Sequence, residues 1–184
     1  MKHFDIALFL APGFEEIEAI TTIDVLRRAG FHIATVAVGT DSLLVTGAHN
    51  VTVTADVYLQ DLNPDKLRLT ICPGGLPGAT NLRDDPAVVD AIRSVVKNNG
   101  YAAAICAAPI VLHKAGVLNG KKYTCYPSFE KQIDNATYTA KPVQVDGKII
   151  TACGPGASIQ FALEIVRQLG NPDTAEKLKS GMLA

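Results

Sequence analysis

The stretch "YAAAICAAPIVLHKAG", residues 101–116, decides the fold. A short run of small and apolar residues, "YAAAIC", reads as a buried strand. Pro109 then suits the first position of a helix, where a missing N–H costs nothing. A strand that passes into a helix within about one residue is the geometry of a nucleophile elbow, and its sharp bend tolerates only small neighbours such as Ala104, Ala107 and Ala108. Cys106 sits at the bend. Helix N–H groups beside its sulfur carry partial positive charge, so the thiol is expected to have a lowered pKa and to be reactive. The bland alternative, an inert cysteine in an alanine-rich core strand, stays open on pattern alone, because free cysteine is among the most buried residue types.

Outward from this stretch, strands and helices alternate. "FDIALFL" (4–10) and "FHIATVAVG" (31–39) read as strands. Between them, "GFEEIEAITTIDVLRRAG" has apolar Ile17, Ile20, Ile23 and Leu26, then two arginines and Gly30 as helix-stop chemistry. "LLVT" and "VTVTADV" form a hairpin-like pair around "GAHN", and "LRLTICPGG" (67–75) is a buried strand ending in a glycine turn. "DDPAVVDAIRSVVKNNG" is a helix capped by Asp85, with Pro86 at its first position and Val88, Val89, Ile92, Val95 and Val96 on one face. "PVQVDGKIITACGPG" gives two strands about Asp146-Gly147, and "ASIQFALEIVRQLG" a helix with Ile159, Ala162, Leu163, Val166 and Leu169 on one face. Alternation at this spacing predicts crossover units and a mostly parallel sheet covered by helices on both sides. Ligands bind such sheets beyond the carboxyl ends of the strands. That directs attention to three exits: "LAPGFEE", "ICPGGLPG" and "AICAAP".

The composition bounds what these exits can serve. The chain has 184 residues, expected to form one domain over 1–184, with 48% hydrophobic and 19% charged side chains, enough apolar material for a large core. Seventeen basic and 18 acidic residues give a net charge of −1, and no basic stripe suggests nucleic acid. No apolar stretch reaches the roughly 20 residues of a membrane span, and Asp5 interrupts the N-terminal run, so a cytoplasmic location is expected. The cysteines at 72, 106, 125 and 153 lack a CxxC, which argues against a disulfide framework or structural zinc. Free thiols are expected, at least two of them buried and inert. His3, His32, His49 and His113 are read as surface or boundary residues; none adjoins Cys106, and no pair has metal-ligand spacing.

At the exits, Gly74 and Gly75 let the backbone turn sharply and bring a main-chain N–H to a substrate, where it would stabilise an oxyanion; an ordinary turn explains them as well. The motif is neither GxGxxG nor a P-loop, so no nucleotide is implied. In "PGFEEIEA", Glu15 and Glu18 are three apart and share a helical face, with Glu16 pointing elsewhere. Acidic residues at a helix start also suit the dipole and nothing more. If Glu18 turns inward, burial raises its pKa. A protonated carboxyl then donates to a thiolate, whereas an ionised one opposes it, so the pair works only by sharing a proton.

The segments "LAPGFEEIEA", "RRAG", "CPGG", "AAICAAP" and "GPGASIQFALEIV", in this order and spacing, resemble the ThiJ/PfpI superfamily, in the branch of the parkinsonism-associated deglycase and its bacterial relatives. The resemblance covers nearly the whole chain. It implies a flavodoxin-like α/β three-layer sandwich, assembled as a homodimer through the helix carrying Glu15 to Arg28. It implies that Cys106 is the nucleophile and is readily oxidised, and that Glu18 is protonated and bonded to it. Gly74, Gly75 and Ala107 would supply the oxyanion N–H groups. The implied activities are removal of early glycation adducts, cofactor-free conversion of methylglyoxal or glyoxal to hydroxy acids, and chaperone or redox-sensing roles in oxidative stress. No metal or cofactor is expected, and the substrate would be a small aldehyde or a glycated amino acid or protein. Glu15, His49 and Tyr126 are candidate pocket residues. His49 stands where relatives often carry arginine, and Tyr126 where some carry histidine, but tyrosine is a poor base near neutral pH. Protease-like members have a histidine after the cysteine, so Ala107 disfavours protease activity. A hydrolase of the amidotransferase type would need a histidine base that no sequence neighbour of Cys106 supplies. Enzyme and redox sensor or chaperone stay open together, since a reactive thiol serves both.

Overall fold

A computed structural model describes residues 4–184; His3 lies outside them. In chain order the elements are β1 (Ile6–Leu10), α1 (Glu16–Arg28), β2 (Ile33–Ala37), β3 (Leu44–Thr46), β4 (Thr52–Thr54), β5 (Val57–Tyr58), β6 (Leu69–Cys72), α2 (Gly78–Asp84), α3 (Pro86–Lys97), β7 (Tyr101–Ile105), α4 (Pro109–Lys114), β8 (Lys122–Tyr123), β9 (Thr137–Tyr138), β10 (Val143–Asp146), β11 (Ile149–Ala152), α5 (Ser158–Gln168) and α6 (Pro172–Gly181). Seven strands form one sheet in the order β10-β11-β7-β6-β1-β2-β5. Every pairing in it is parallel except β10 with β11. This is the expected flavodoxin-like sandwich.

Strand side chains alternate between two cores, as the period of two requires. Ala7 and Phe9 of β1 join Ala102 and Ala104 of β7 under α2, α3 and α4. Ile6, Leu8 and Leu10 join Ala103 and Ile105 under α1 and α5. Both faces are covered, so β1, β6 and β7 carry near-continuous runs of buried residues rather than an alternating polar face. Asp85 caps α3 as expected, accepting from the N–H groups of Ala87 and Val88.

Several expectations need correction. "VTVTADV" is two strands, because Asp56 turns in to accept from the N–H and hydroxyl of Thr35 and ends the pairing of β4 with β3. Ile17 and Ile20 of α1 are 57% and 42% exposed, and the buried face belongs instead to Glu18, Ala19, Thr22, Val25 and Leu26, with Ile23 at its border. On α5 the buried stripe runs through Phe161 and Ile165, leaving Ile159 outside. Helices α2 and α6 and strands β8 and β9 have no counterpart in the sequence reading.

Topology places the ligand crevice. From β1 the chain goes to β2 on one side, and β6 then lies on the other side of β1. The carboxyl ends of β1 and β6 therefore form a switch point, where neighbouring connections leave in opposite directions and open a cleft. No described helix is long and apolar enough to cross a membrane.

Candidate active site

The three exits converge at this switch point. The N–H of Glu15 donates to Gly74 O at 2.9 Å, and that of Gly78 to Gly13 O at 3.2 Å, stitching the β1 exit to the β6 exit. Gly75 has φ +83°, and a Cβ there would stand 2.4 Å from Glu15 N. A Cβ on Gly74 would stand 2.7 Å from Cys106 Cβ and 2.8 Å from Glu18 Oε2. Glycine is thus demanded at both positions by the close approach of backbone to site.

Cys106 follows β7 directly, with φ +64°, a left-handed backbone that costs a non-glycine residue strain. Two hydrogen bonds hold the bend: Cys106 N–H donates to Ala152 O at 2.9 Å, and Tyr126 N–H donates to Cys106 O at 2.8 Å. Ala104, Ala107 and Ala108 are buried around it, as the steric argument required. Regular helix starts only at Pro109 and lasts six residues. The groups that reach the sulfur are therefore individual N–H donors, those of Ala107 and Gly75, rather than the end of a long dipole.

Glu18 enters from α1 and is fully buried. Its Oε2 accepts from Gly74 N–H at 2.7 Å. Among the described residues its Oε1 has no hydrogen-bond partner, and its carboxyl stands beside the Cys106 side chain across Gly74, close enough for each to shift the other's titration. Burial pushes Glu18 up to about 7, helped by the charge of Glu15 and opposed by Gly74 N–H and the thiol. The thiol is pushed up as well, by burial first and then by the charge and closeness of Glu18, against the pull of the Ala107 and Gly75 N–H groups. The expectation of a thiol simply lowered by a helix end is thus corrected. What the site holds is a coupled pair that loses one proton near pH 7 and keeps the other far above it.

The remaining candidates fall in different places. Gly74 spends its N–H on Glu18, which leaves Gly75 and Ala107 as the donors at the sulfur. Glu15 precedes the helix, in extended backbone, so it does not share a helical face with Glu18. Glu16, set aside by the sequence reading, is the better-held residue. It accepts from His49 N–H at 2.7 Å, His49 Nδ1 at 2.9 Å and Val51 N–H at 3.3 Å, and so fastens the β3–β4 turn to α1. Burial works to raise Glu16, but these donors outweigh it and hold the carboxyl below its ordinary value. Glu16 and Glu15 in turn hold His49 above its own. The only signal for this clamp was an acid in a run of three acids, which the helix dipole already explained. The ligand atoms of Glu15, Glu16 and His49 lie within 4.8 Å of one another, but those of Glu16 are taken up by the turn.

Tyr126 reaches the elbow through its backbone; the residue is 48% exposed and its ring lies against Gly154. Arg28, at the far end of α1, pairs with Asp24 at 2.7 Å on the surface. His113 pairs with Asp134 at 3.3 Å. Of the thiols, Cys72 and Cys125 are buried, and Cys106 and Cys153 are partly exposed.

Comparison with known proteins shows the family and the fold. A sequence model of the DJ-1/PfpI family matches residues 5–168. The chain is similar to protein dj-1beta of Drosophila melanogaster, at 40% identity over 178 residues, covering 96% of this chain and 95% of that protein. It is similar to the glutathione-independent glyoxalase DJR-1.2 of Caenorhabditis elegans, at 33% identity over 176 residues, covering 94% and 92%. The crystal structure of Drosophila melanogaster DJ-1beta superposes with a TM-score of 0.93 at 37% identity, covering 100% of this chain and 99% of that one.

Proposed function

The chain belongs to the DJ-1/PfpI family, and from that premise we propose that it is a cysteine-dependent, cofactor-free enzyme of glyoxalase or deglycase type, acting on α-oxoaldehydes or their early glycation adducts. One observation carries the reading: a partly exposed thiol on a strained bend, flanked by a buried carboxyl with an unpartnered oxygen and by two backbone N–H groups. The similarity to a relative named as a glutathione-independent glyoxalase supports it.

In this reading the Cys106 sulfur attacks the aldehyde carbon of methylglyoxal. A C–S bond forms, the carbonyl π pair moves to oxygen, and the Gly75 and Ala107 N–H groups stand beside the developing charge. Glu18 holds the proton that the sulfur gives up. It then moves a proton from the former aldehyde carbon to the neighbouring one, through an enediol, to leave a thioester of lactate. Water cleaves that thioester, releasing lactate and restoring the pair with its proton. The net change is addition of one water, with no redox partner. A carboxyl that titrates near neutral pH suits both giving and taking the proton. The same nucleophile attacking the adduct of an oxoaldehyde with an amine or thiol gives the deglycase outcome.

The test is lactate formation from methylglyoxal, without glutathione or added metal, by wild type and Cys106→Ala. The variant should fall to the uncatalysed rate. Equal rates would remove the proposal.

A further inference from the structure

Two of the four thiols are reachable from solvent, and they are neighbours across the sheet. β7 and β11 are parallel and in register through Ile105↔Ala152. The next residue on each strand is a cysteine, Cys106 and Cys153, and Cys106 N–H bonds to the carbonyl that precedes Cys153. Adjacent strands lie about 4.8 Å apart, inside the roughly 4.4–6.8 Å between Cα atoms that a disulfide spans. Both cysteines lie one residue beyond the paired strands, and both side chains pack against the same core, the one beneath α1 and α5, so the two exits face one side of the sheet. Cys153 also lines an open cavity of about 670 Å³ with Tyr126, Tyr138 and Gly154, which admits small solutes and gives the side chain room to turn. Cys125 borders that cavity but is fully buried, and burial pushes its thiol up to about 12, so it is a poor competitor.

We propose that Cys153 is the resolving thiol of Cys106, converting peroxide oxidation of the nucleophile into an intramolecular, reducible Cys106–Cys153 disulfide. In the first step the Cys106 thiolate attacks a hydroperoxide. The S–O bond forms, the O–O bond breaks, and the leaving oxygen takes a proton and departs as alcohol or water. In the second, the Cys153 sulfur attacks the sulfenic sulfur. The S–S bond forms, the S–O bond breaks, and hydroxide leaves with the Cys153 proton as water. A thiol reductant returns both cysteines. Capture at this stage competes with a second peroxide, which would carry Cys106 on to sulfinic acid, a state that ordinary thiols do not reverse. Cytosolic disulfides of this transient kind are redox devices rather than staples.

The proposal rests on Cys106 being the reactive thiol. Turnover of methylglyoxal before any oxidation therefore reports on that reading separately, and Cys153→Ser should leave it unchanged. Wild type and Cys153→Ser are treated with hydrogen peroxide, blocked with iodoacetamide, and mapped by non-reducing peptide mass spectrometry. Wild type should yield a peptide pair joining Cys106 and Cys153, on a chain that still runs as a monomer on a non-reducing gel, and dithiothreitol should restore its activity. Cys153→Ser should lose the dithiothreitol-recoverable fraction and accumulate Cys106 sulfinate faster. Equal sulfinate accumulation in both proteins, a Cys125–Cys153 pair, or a bond between two chains overturns the proposal, and the wild-type map decides even if the variant misfolds.

Discussion

Two neighbouring strands of the central sheet each deliver a cysteine to the same end, and their fates differ. Cys72 is the last residue of β6; it is fully buried in the core beneath α2 to α4, and burial alone pushes its thiol up. Cys106 is the first residue beyond β7, past a bend to φ +64° that brings the sulfur out against Glu18, Gly75 N–H and Ala107 N–H. Residue type and sheet end are shared, but Cys72 packs into the core beneath α2 to α4 and Cys106 against the core beneath α1 and α5. The difference comes from a two-residue offset and the bend it allows, since Cys72 is level with Ala104 in the register. A thiol held inside the ladder is packing, and one lifted just beyond it becomes chemistry.

Alkylation breaks or sharpens that contrast most strongly. Cys72 can react only when the chain opens, and unfolded fractions are on the order of 10⁻³ to 10⁻⁶. At neutral pH, Cys106 should therefore be carboxamidomethylated by iodoacetamide about 10³-fold or more faster than Cys72, as followed by peptide mass spectrometry. The Cys106 rate should also climb as pH passes through about 7, where the Glu18–Cys106 pair loses its first proton. A Cys72 rate equal to that of Cys106, or a flat Cys106 profile from pH 5 to 9, would sink the contrast.

The partner that Cys72 lacks is Glu18, and its presence carries a stability cost with a definite sign. A carboxyl whose folded pKa lies above its unfolded value binds more protons folded than unfolded between the two, so stability falls as pH rises across that window. For Glu18 the window runs from 4.5 to about 7. At about 1.36 kcal/mol per pH unit this amounts to about 3 kcal/mol, absent below the window and fully present above it. Glu18→Gln keeps an acceptor for Gly74 N–H and removes the charge. It should gain up to about 3 kcal/mol over wild type above pH 7 in chemical denaturation, nothing below pH 4.5, and lose about 10²-fold or more in turnover. A stability difference independent of pH would show that the carboxyl is not held in this way.

Most of this site was legible because its elements obey local rules. The Pro109 helix start, the small residues around Cys106 and the glycines after β6 each answer a steric demand that composition reveals. Alternation pointed to a mostly parallel sheet covered on both sides, and the family resemblance to the flavodoxin-like sandwich. What stayed hidden depends on tertiary contact. Ile17 and Ile20 have helical spacing, yet the sheet takes the face carrying Glu18 and Thr22, because a buried acid suits the site and Thr22 satisfies its own hydroxyl on Glu18 O. The direction of the thiol's shift required knowing that a carboxyl and a desolvating pocket surround the N–H donors. Glu16 could not be singled out, since its partners lie 33 and 35 residues away.

Glu16 gives the smallest effect and the cleanest control, because it sits on the same helix two residues from Glu18 and faces no thiol. Its folded pKa is depressed, so its contribution is present above its unfolded value and is lost as pH falls through the folded one. His49 is raised, so the ion pair is also lost as pH rises through the folded value of His49, above 6.5. Glu16→Gln retains an oxygen for the turn N–H groups but loses the charge, and should cost about 1 kcal/mol in chemical denaturation. The cost should be greatest between those two titrations and shrink on either side. Near pH 7 two Glu→Gln exchanges two residues apart should therefore move stability in opposite directions, one relieving a buried charge and the other weakening a paired one. If both destabilise, burial is not what distinguishes the carboxyl at the nucleophile.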